Sequence, residues 1–241
     1  MHTRTKKLLN SLYITDFAIK QLHNVRLAKR HLLSIDRKII KSYFKQNSVK
    51  KLHIGCGSNI LSGWLNSDYY PKSASILHLD ATRSFPFEDN SFDYVFSEHM
   101  IEHITFTEGL YMLTECYSIL KRSGKLRIST PDLSFLIKLY GEEKSDLQRE
   151  YIQWSSDSFI EWAPYYDATF VINNFVRDWQ HKFIYDKETL RSSLEKAGFE
   201  KVKKFNLNQS EDDELRNLEN EGRMPTGYLR LESLTLEGTK A

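Results

Sequence analysis

The sequence predicts an α/β fold with a mostly parallel sheet, and two patterns support this prediction. From residue 51 onward, short apolar runs typical of strands alternate with longer segments whose apolar residues recur at helical spacing. The first run, residues 51–54, is stopped by Gly55-Cys56-Gly57, which is typical of a strand that enters a glycine loop. Ligands of open α/β sheets bind at the carboxyl ends of the strands. We therefore expect the functional residues at those ends.

The remaining elements follow from the same periodicities. Strands are predicted at residues 51–54, 76–79, 92–96, 125–130, 199–207 and 231–237. Helices are predicted at residues 107–121 and 187–196, with Gly124 and Gly198 closing them. Little except the polar segment 208–228 separates the last two strands, which permits an antiparallel hairpin at the end of the chain.

Residues 1–50 form a separate, strongly basic extension, which precedes a predicted domain over residues 51–241. Its apolar residues recur at spacings of three and four, which predicts amphipathic helices. Three roles fit this pattern: a solvated helix pair packed on the domain, a helix on an anionic membrane, or a nucleic-acid contact. The basic residues are Arg4, Lys6, Lys7, Lys20, Arg26, Lys29, Arg30, Arg37, Lys38, Lys41, Lys45 and Lys50, against only Asp16 and Asp36.

Composition favours a protein of the reducing cytoplasm. The formal net charge is only +2, which argues against nonspecific nucleic-acid binding by the whole chain. Cys56 and Cys116 are the two cysteines, too few for a disulfide framework. No run approaches the roughly 20 apolar residues of a membrane span, and the first residues lack the apolar core of a signal peptide. We expect a cytoplasmic protein, with contact to the inner membrane surface if the basic helices serve that role.

Acidic residues follow the early strands at positions suited to a nucleoside. Gly55 and Gly57 allow a ligand to approach the backbone closely. Asp68 suits ribose hydroxyls, and Asp80-Ala81, which follows the run 76–79, suits an adenine amino group.

The order of these elements resembles the class I S-adenosylmethionine-dependent methyltransferase family. The resemblance covers residues 51–131 well and 181–240 loosely. The matching segments are His53–Asn59, Asp68, Asp80-Ala81, Phe85–Asp93, Ser97–His103, Leu120–Gly124, Leu126–Asp132 and His181–Phe183 with Lys187–Phe199.

The resemblance implies a Rossmann-like three-layer sandwich with a seven-stranded sheet, in which one strand is antiparallel. It also implies S-adenosylmethionine as the methyl donor. Gly55, Cys56 and Gly57 would line its methionine part, Asp68 its ribose, and Asp80 with Ala81 its adenine. Ser97 completes the predicted set. Asn59 stands where the family usually has a third glycine, and asparagine tolerates left-handed backbone geometry well.

Two rival classes fit less well. A dinucleotide-binding loop needs a glycine three residues after Gly57, where Ile60 stands, and an acidic residue roughly 20 residues on, whereas Asp68 comes much sooner. His99-Met100-Ile101-Glu102-His103 matches an inverted zinc-protease pattern. It lies directly after a strand rather than within a long helix, so we expect no metal there.

The acceptor is less defined than the donor. His99, after the fourth strand, and His181, in a late segment, are the candidate catalytic bases. No Asn/Asp-Pro-Pro-Tyr motif follows Phe96, which favours an oxygen acceptor. Residues 133–180 form a predicted insertion or cap that binds the acceptor or packs its own core. Its aromatic residues are Tyr151, Trp154, Phe159, Trp162, Tyr165, Tyr166, Phe170, Phe175 and Trp179.

We therefore expect an O-methyltransferase that acts on a small molecule, sugar or glycan. Some chains that resemble this one are associated with surface-polysaccharide biosynthesis, which favours a sugar or glycan acceptor. The alternatives are an RNA methyltransferase that uses the basic extension and a non-enzymatic binding or scaffold module with a methyltransferase-like fold.

Overall fold

A computed structural model describes residue 21 and residues 25–241 of the chain. Most of the first helix predicted for the basic extension, residues 1–50, therefore lies outside the described residues. Within the described part of the chain, no helix is long and apolar enough to cross a membrane.

The described part of the basic extension packs on the sheet. Residues 25–32 are helical and are followed by α1 (Ile35–Gln46). The Arg30 guanidinium donates to the carbonyl of Ile76 at 2.7 Å, and the backbone N–H of His78 donates to Asp36 at 3.0 Å. On the other side, the Tyr43 hydroxyl donates to the carbonyl of Lys51 at 2.9 Å. At least this portion of the extension is thus an integral layer of the fold.

The predicted Rossmann-like architecture is confirmed. A seven-stranded sheet with the order β3-β2-β1-β4-β5-β7-β6 lies among helices. The strands are β1 (Lys51–Ile54), β2 (Leu65–Asp68), β3 (Leu77–His78), β4 (Phe92–Glu98), β5 (Leu120–Pro131), β6 (Phe199–Phe205) and β7 (Ser233–Lys240). The further helices are α2 (Phe106–Ile119), α3 (Leu133–Tyr140), α4 (Asp146–Phe159), α5 (Ala168–Arg177), α6 (Lys187–Lys196) and α7 (Tyr228–Glu232).

Four parallel pairings define the edge of the sheet that carries the functional residues. β1 lies between β2 and β4, with Ile54 level with Ser67 on one side and with Ser97 on the other. β3 extends the sheet beyond β2, and β5 beyond β4. The chain reverses its direction of winding at β1, so the crevice at the carboxyl ends of β1 and β4 is the expected ligand position.

The antiparallel end of the chain is also confirmed. β7 inserts between β5 and β6 and runs antiparallel to both. Ser233, at the start of β7, is paired with Pro131 at the end of β5. The residues that precede β7 therefore arrive at the same edge of the sheet as the ends of the parallel strands.

The role predicted for Gly124 is wrong. Helix α2 already ends at Ile119, and Gly124 lies within β5. A Cβ on Gly124 would lie only 2.8 Å from the Lys121 carbonyl oxygen and 3.0 Å from that of Asp93. The glycine is needed because two backbone segments approach closely, not because a helix ends there. The last strand likewise starts later than predicted, at Ser233, because Tyr228–Glu232 form the short helix α7.

Residues 133–180 form a helical cap with a core of its own. Helices α3, α4 and α5 pack around a cluster that is separate from the main core of the sheet. Tyr151, Phe175 and Tyr228 lie in this cluster, which shows that α7 takes part in it. The buried members are Phe135, Leu136, Leu139, Tyr151, Ile152, Ile160, Ala168, Val171, Phe175 and Tyr228.

Candidate active site

The glycine loop after β1 has the backbone geometry that its sequence predicts. Gly55 and Gly57 have φ angles of +71° and +53°, in the left-handed region where a Cβ is disfavoured. A Cβ on Gly55 would overlap with the side chain of Met100, whereas one on Gly57 would meet nothing within 4 Å. The first glycine is therefore required by packing, and the second faces open space at the carboxyl edge.

Asp68 ties this loop to the end of β2. One carboxylate oxygen accepts a hydrogen bond from the backbone N–H of Gly57 at 2.8 Å, and the other accepts from Tyr70 N–H at 2.7 Å. The backbone N–H of Cys56 donates to the carbonyl of Ser67 at 2.9 Å. Burial raises the pKa of the Cys56 thiol to about 11, so this thiol is neutral and not a nucleophile.

The other predicted donor residues lie at the ends of β3 and β4. One oxygen of Asp80 accepts from the Thr82 hydroxyl at 2.7 Å and the other accepts from Arg83 Nε at 3.2 Å. Ala81 beside it is buried. Ser97 is also buried, and its hydroxyl has no hydrogen-bond partner among the described residues.

Asn59 has a structural role at the position of the family's third glycine. Its side-chain amide donates to Glu98 at 3.0 Å and to the carbonyl of Leu218 at 2.9 Å. Glu98 also accepts from the backbone N–H of Asn220 at 3.1 Å. Asn59 thus connects the glycine loop to a segment that comes more than a hundred residues later.

These residues suit S-adenosylmethionine in their chemistry. The open side of Gly57 leaves room for a ligand to lie against the backbone. Asp68 at the end of β2, and Asp80 with Ala81 after β3, follow neighbouring parallel strands, because Asp68 is level with His78. Carboxylates at consecutive strand ends are acceptors for ribose hydroxyls and an adenine amino group.

A second concave region lies at the same edge, under the cap. It is a cavity of about 280 Å³ formed by residues from three distant parts of the chain. Its lining residues are His99, Glu102, His103, Tyr151, Trp154, Phe159, Phe175, Trp179, His181, Arg223, Met224 and Glu232. Aromatic rings form its sides, and six ionisable side chains come from segments 99–103, 181 and 223–232.

The structure brings His99 to this cavity but gives both of its ring nitrogens a neighbour. Nε2 lies 2.8 Å from the Ser233 hydroxyl, and Nδ1 lies 3.4 Å from a carboxylate oxygen of Glu102. The side chain is only 9% exposed, and desolvation lowers its pKa well below the ordinary value. Its φ of +46° is unusual for a residue other than glycine and orients the start of the next segment.

His181, the second predicted base, lies in the cavity beside His103. The two ring centroids are 5.0 Å apart. His181 Nδ1 lies 2.7 Å from the carbonyl oxygen of Phe175, which can only accept, so Nδ1 carries the proton. Nε2 of the neutral ring therefore carries the lone pair. Burial lowers the pKa of both histidines.

Two buried acids complete the polar part of the cavity. Burial raises the pKa of Glu102 to about 8 and that of Glu232 to about 7. Glu232 accepts a hydrogen bond of 2.5 Å from the Tyr151 hydroxyl, and Glu102 accepts one of 3.1 Å from Thr130. Glu102 lies in the His99–His103 motif and could be singled out from the sequence, whereas no motif contains Glu232.

The structure divides the aromatic residues of the cap into two groups. Tyr151, Trp154, Phe159, Phe175 and Trp179 line the cavity. The others do not, and three of them are largely exposed: Trp162 (64%), Tyr165 (64%) and Tyr166 (57%). Helical spacing alone could not separate these groups, because the lining residues come from α4, from α5 and from the segment that follows α5.

Comparison with known proteins agrees with this architecture. Residues 52–128 match a family model described as a methyltransferase domain. With the sheet order and the glycine loop, this match identifies residues 52–128 as a methyltransferase domain, for which S-adenosylmethionine is the methyl donor.

The individual relatives are partial or distant. The chain is 42% identical over 71 residues to phosphoethanolamine N-methyltransferase 2 of Caenorhabditis elegans, a match that covers 28% of this chain and 14% of that protein. A methyltransferase structure from Archaeoglobus fulgidus is 18% identical, with coverage of 88% and 94% and a TM-score of 0.48. One from Thermotoga maritima is 20% identical, with coverage of 90% and 96% and a TM-score of 0.43.

Proposed function

We propose that this protein transfers a methyl group from S-adenosylmethionine to the hydroxyl of a small molecule, of which a sugar is one candidate, bound in the cavity under the cap. The observation that carries this proposal is the position of that cavity at the carboxyl edge, next to the loop that holds Gly55 and Asp68. Met100, which packs on Gly55, directly follows the cavity residue His99. A donor at the glycine loop and an acceptor under the cap are thus separated by one short segment.

The chain contributes position, desolvation and proton removal to this reaction. When bound, S-adenosylmethionine supplies a methyl group already activated by its sulfonium. Asp68 and the glycine loop hold the donor, and the aromatic sides of the cavity exclude water from the acceptor. A hydroxyl must lose its proton as it is methylated, and the group Glu102, His103 and His181 provides the nearby acceptor atoms. The free Nε2 lone pair of His181 makes it better suited to this task than His99.

An amine acceptor is the second candidate. Glu102 and Glu232 lie among Trp154 and Trp179, and carboxylates among aromatic rings are suited to an ammonium group. The partial similarity to a phosphoethanolamine N-methyltransferase also favours an amine. The hydroxyl remains our first choice because Glu102, His103 and His181 converge at one point of the cavity, where they can assist the loss of the proton from a hydroxyl.

The test has two stages. Calorimetric titration with S-adenosylmethionine and S-adenosylhomocysteine, with NAD as the control, measures donor binding. Labelled S-adenosylmethionine is then incubated with matched hydroxyl and amine acceptors, and the products are identified by mass spectrometry. We expect Asp68→Ala to abolish donor binding, and His181→Asn to retain it while methylation falls. Absence of donor binding by the wild-type protein would instead support a scaffold role, and methylation of amines alone would support the second candidate.

A further inference from the structure

Glu102, His103 and His181 meet at one point of the cavity. One ligand atom from each of the three side chains lies within 4.8 Å of the others. Glu102 and His103 come from the 3-10 turn Ile101–His103, and His181 comes from the segment before α6. Two backbone hydrogen bonds hold these segments together, since Lys182 N–H and Phe183 N–H donate to the Glu102 carbonyl at 2.7 and 3.2 Å. The spacing of the cluster is therefore fixed by the backbone.

The ring of His181 is oriented by a backbone carbonyl. His181 Nδ1 donates to the carbonyl of Phe175, which leaves Nε2 as a ligand atom. The backbone of Trp179 and Gln180 lies beside His103 and acts to raise its pKa, against the larger effect of burial. Histidines that bind a metal ion usually donate their other ring N–H to a carbonyl or a carboxylate in this way.

The loop that delivers His181 has an unfavourable backbone conformation. Trp179 and Gln180 have φ angles of +55° and +61°, and neither is a glycine. The left-handed region is unfavourable for any residue with a Cβ, and here two such residues follow one another. Such conformations concentrate at functional sites, where the position of a side chain matters more than local stability.

The carboxylate of Glu102 has an unused oxygen. Oε2 accepts from Thr130, whereas Oε1 has no hydrogen-bond partner among the described residues. His99 Nδ1 lies 3.4 Å from this oxygen, and the Glu102 side chain is only 1% exposed. A buried carboxylate oxygen without a donor is costly, and a cation beside it removes that cost.

We propose that Glu102, His103 and His181 bind a divalent transition-metal ion. Two imidazoles and one carboxylate are a ligand set typical of Zn²⁺ or Fe²⁺ that leaves coordination positions open. These positions would face the cavity. The zinc-protease pattern in the sequence pairs His103 with His99, but His99 is held by Ser233 and is not part of this group. His181 takes its place from another element, which the sequence spacing could not show.

The ion would bind the oxygen of the acceptor and lower its pKa, so that the hydroxyl loses its proton at neutral pH. This role rests on the proposed function, whereas the binding of the ion does not. Because the ion would then hold the Nε2 lone pair of His181, the proton leaves to solvent instead of to this histidine. The oxygen forms a bond to the methyl carbon, and the bond from that carbon to sulfur breaks.

Metal binding is tested on the full-length protein. The purified chain is stripped with a chelator, dialysed against Zn²⁺, and analysed by mass spectrometry for bound zinc, with Co²⁺ as a probe of the ligand field. We expect one zinc per chain and visible absorption from bound cobalt. His103→Ala and His181→Ala should each weaken the affinity by at least about 10-fold, as loss of even an outer partner does. His31→Ala, at an exposed histidine outside the cavity, is the matched control and should bind zinc normally.

Folding of each variant is checked by circular dichroism and by calorimetric binding of S-adenosylhomocysteine. If a histidine variant fails to fold, Glu102→Gln, which keeps the shape of the side chain, replaces it. Absence of stoichiometric zinc, or unchanged affinity in the double variant His103→Ala/His181→Ala, would overturn the proposal. A protein that binds zinc but no S-adenosylhomocysteine would refute the proposed function and leave the metal site standing. A protein that binds S-adenosylhomocysteine but no zinc would refute the metal site and leave the proposed function standing.

Discussion

The strand ends that we assign to the donor and the cavity that we assign to the acceptor lie at the same edge of the sheet but are assembled in different ways. The strand ends, between Gly55 and Ser97, belong to consecutive strands, and their contacts are made by backbone atoms and by the carboxylate of Asp68. The cavity takes its residues from segments 99–103, 151–181 and 223–232. Its geometry depends on how the cap and the C-terminal segment pack. A site made from consecutive strand ends is specified locally, whereas a site made from side chains of distant segments is specified by the whole fold.

The largest expected effect comes from removing the side chain of Arg127, which holds the segment that contains Gln209 and Glu219 against β5. Arg127 in β5 is fully buried and donates to Glu219 at 2.7 Å, to Glu237 at 2.5 Å and to the carbonyl of Gln209 at 2.8 Å. Arg127→Ala would leave two buried carboxylates without their counter-charge. We expect a loss of about 3–5 kcal/mol in the free energy of unfolding, measured by urea denaturation.

Arg149→Ala is the control for this prediction. Arg149 pairs with Asp146 at 2.7 Å, but the two side chains are 60% and 90% exposed. Solvent screens such a pair, so its loss should cost at most about 1 kcal/mol. Equal losses in the two variants would contradict the role given to Arg127. It would also mean that the segment leading to Arg223 and Glu232 is held by other contacts.

The same contrast explains what the sequence could predict. The alternation of strands and helices, the glycine loop, Asp68 and Asp80 follow from local patterns in the sequence, although the short strand β2, which ends at Asp68, is not among the predicted strands. Gly124 was misassigned because its role depends on the approach of Asp93, from another strand. Glu232 and Arg223 gave no local signal, since only the antiparallel insertion of β7 carries them to the active edge. Both catalytic candidates, His99 and His181, lie in the cavity, but their partners could not be inferred from spacing.

The free energy of unfolding is expected to depend on pH through a buried histidine in β1. His53 in β1 is buried, its Nδ1 lies 3.2 Å from the Asn66 amide oxygen, and its Nε2 has no partner among the described residues. Desolvation lowers its pKa from 6.5 to about 4. Between pH 6.5 and about pH 4, His53 therefore binds a proton in the unfolded chain but not in the folded chain. Stability should fall by about 3 kcal/mol as the pH drops through this range and stay level above it.

The contribution of His53 is isolated with His53→Leu, which cannot titrate. The free energy of unfolding is measured by urea denaturation between pH 4 and pH 7.5, and the difference between wild type and variant is plotted against pH. We expect this difference to shift in favour of the variant as the pH falls. His31→Leu, at an exposed position, is the control for the replacement of a histidine by leucine. A constant difference between His53→Leu and wild type would contradict the prediction, because it would show that His53 binds its proton at the same pH in the folded and in the unfolded protein.

The smallest and most specific effect should appear at the glycine loop. Gly57 and Gly63 both have left-handed backbones, with φ angles of +53° and +76°, and a Cβ would find space at either position. Alanine should cost each site a similar strain of about 1–2 kcal/mol in stability. At Gly57, however, the added methyl group would enter the space that we assign to the donor. We expect Gly57→Ala to weaken calorimetric binding of S-adenosylhomocysteine by about 10-fold, equivalent to about 1.4 kcal/mol, and Gly63→Ala to leave it unchanged. If both variants bind S-adenosylhomocysteine equally well, the donor does not lie against Gly57, and its binding site must instead be formed mainly by Asp68 and Asp80.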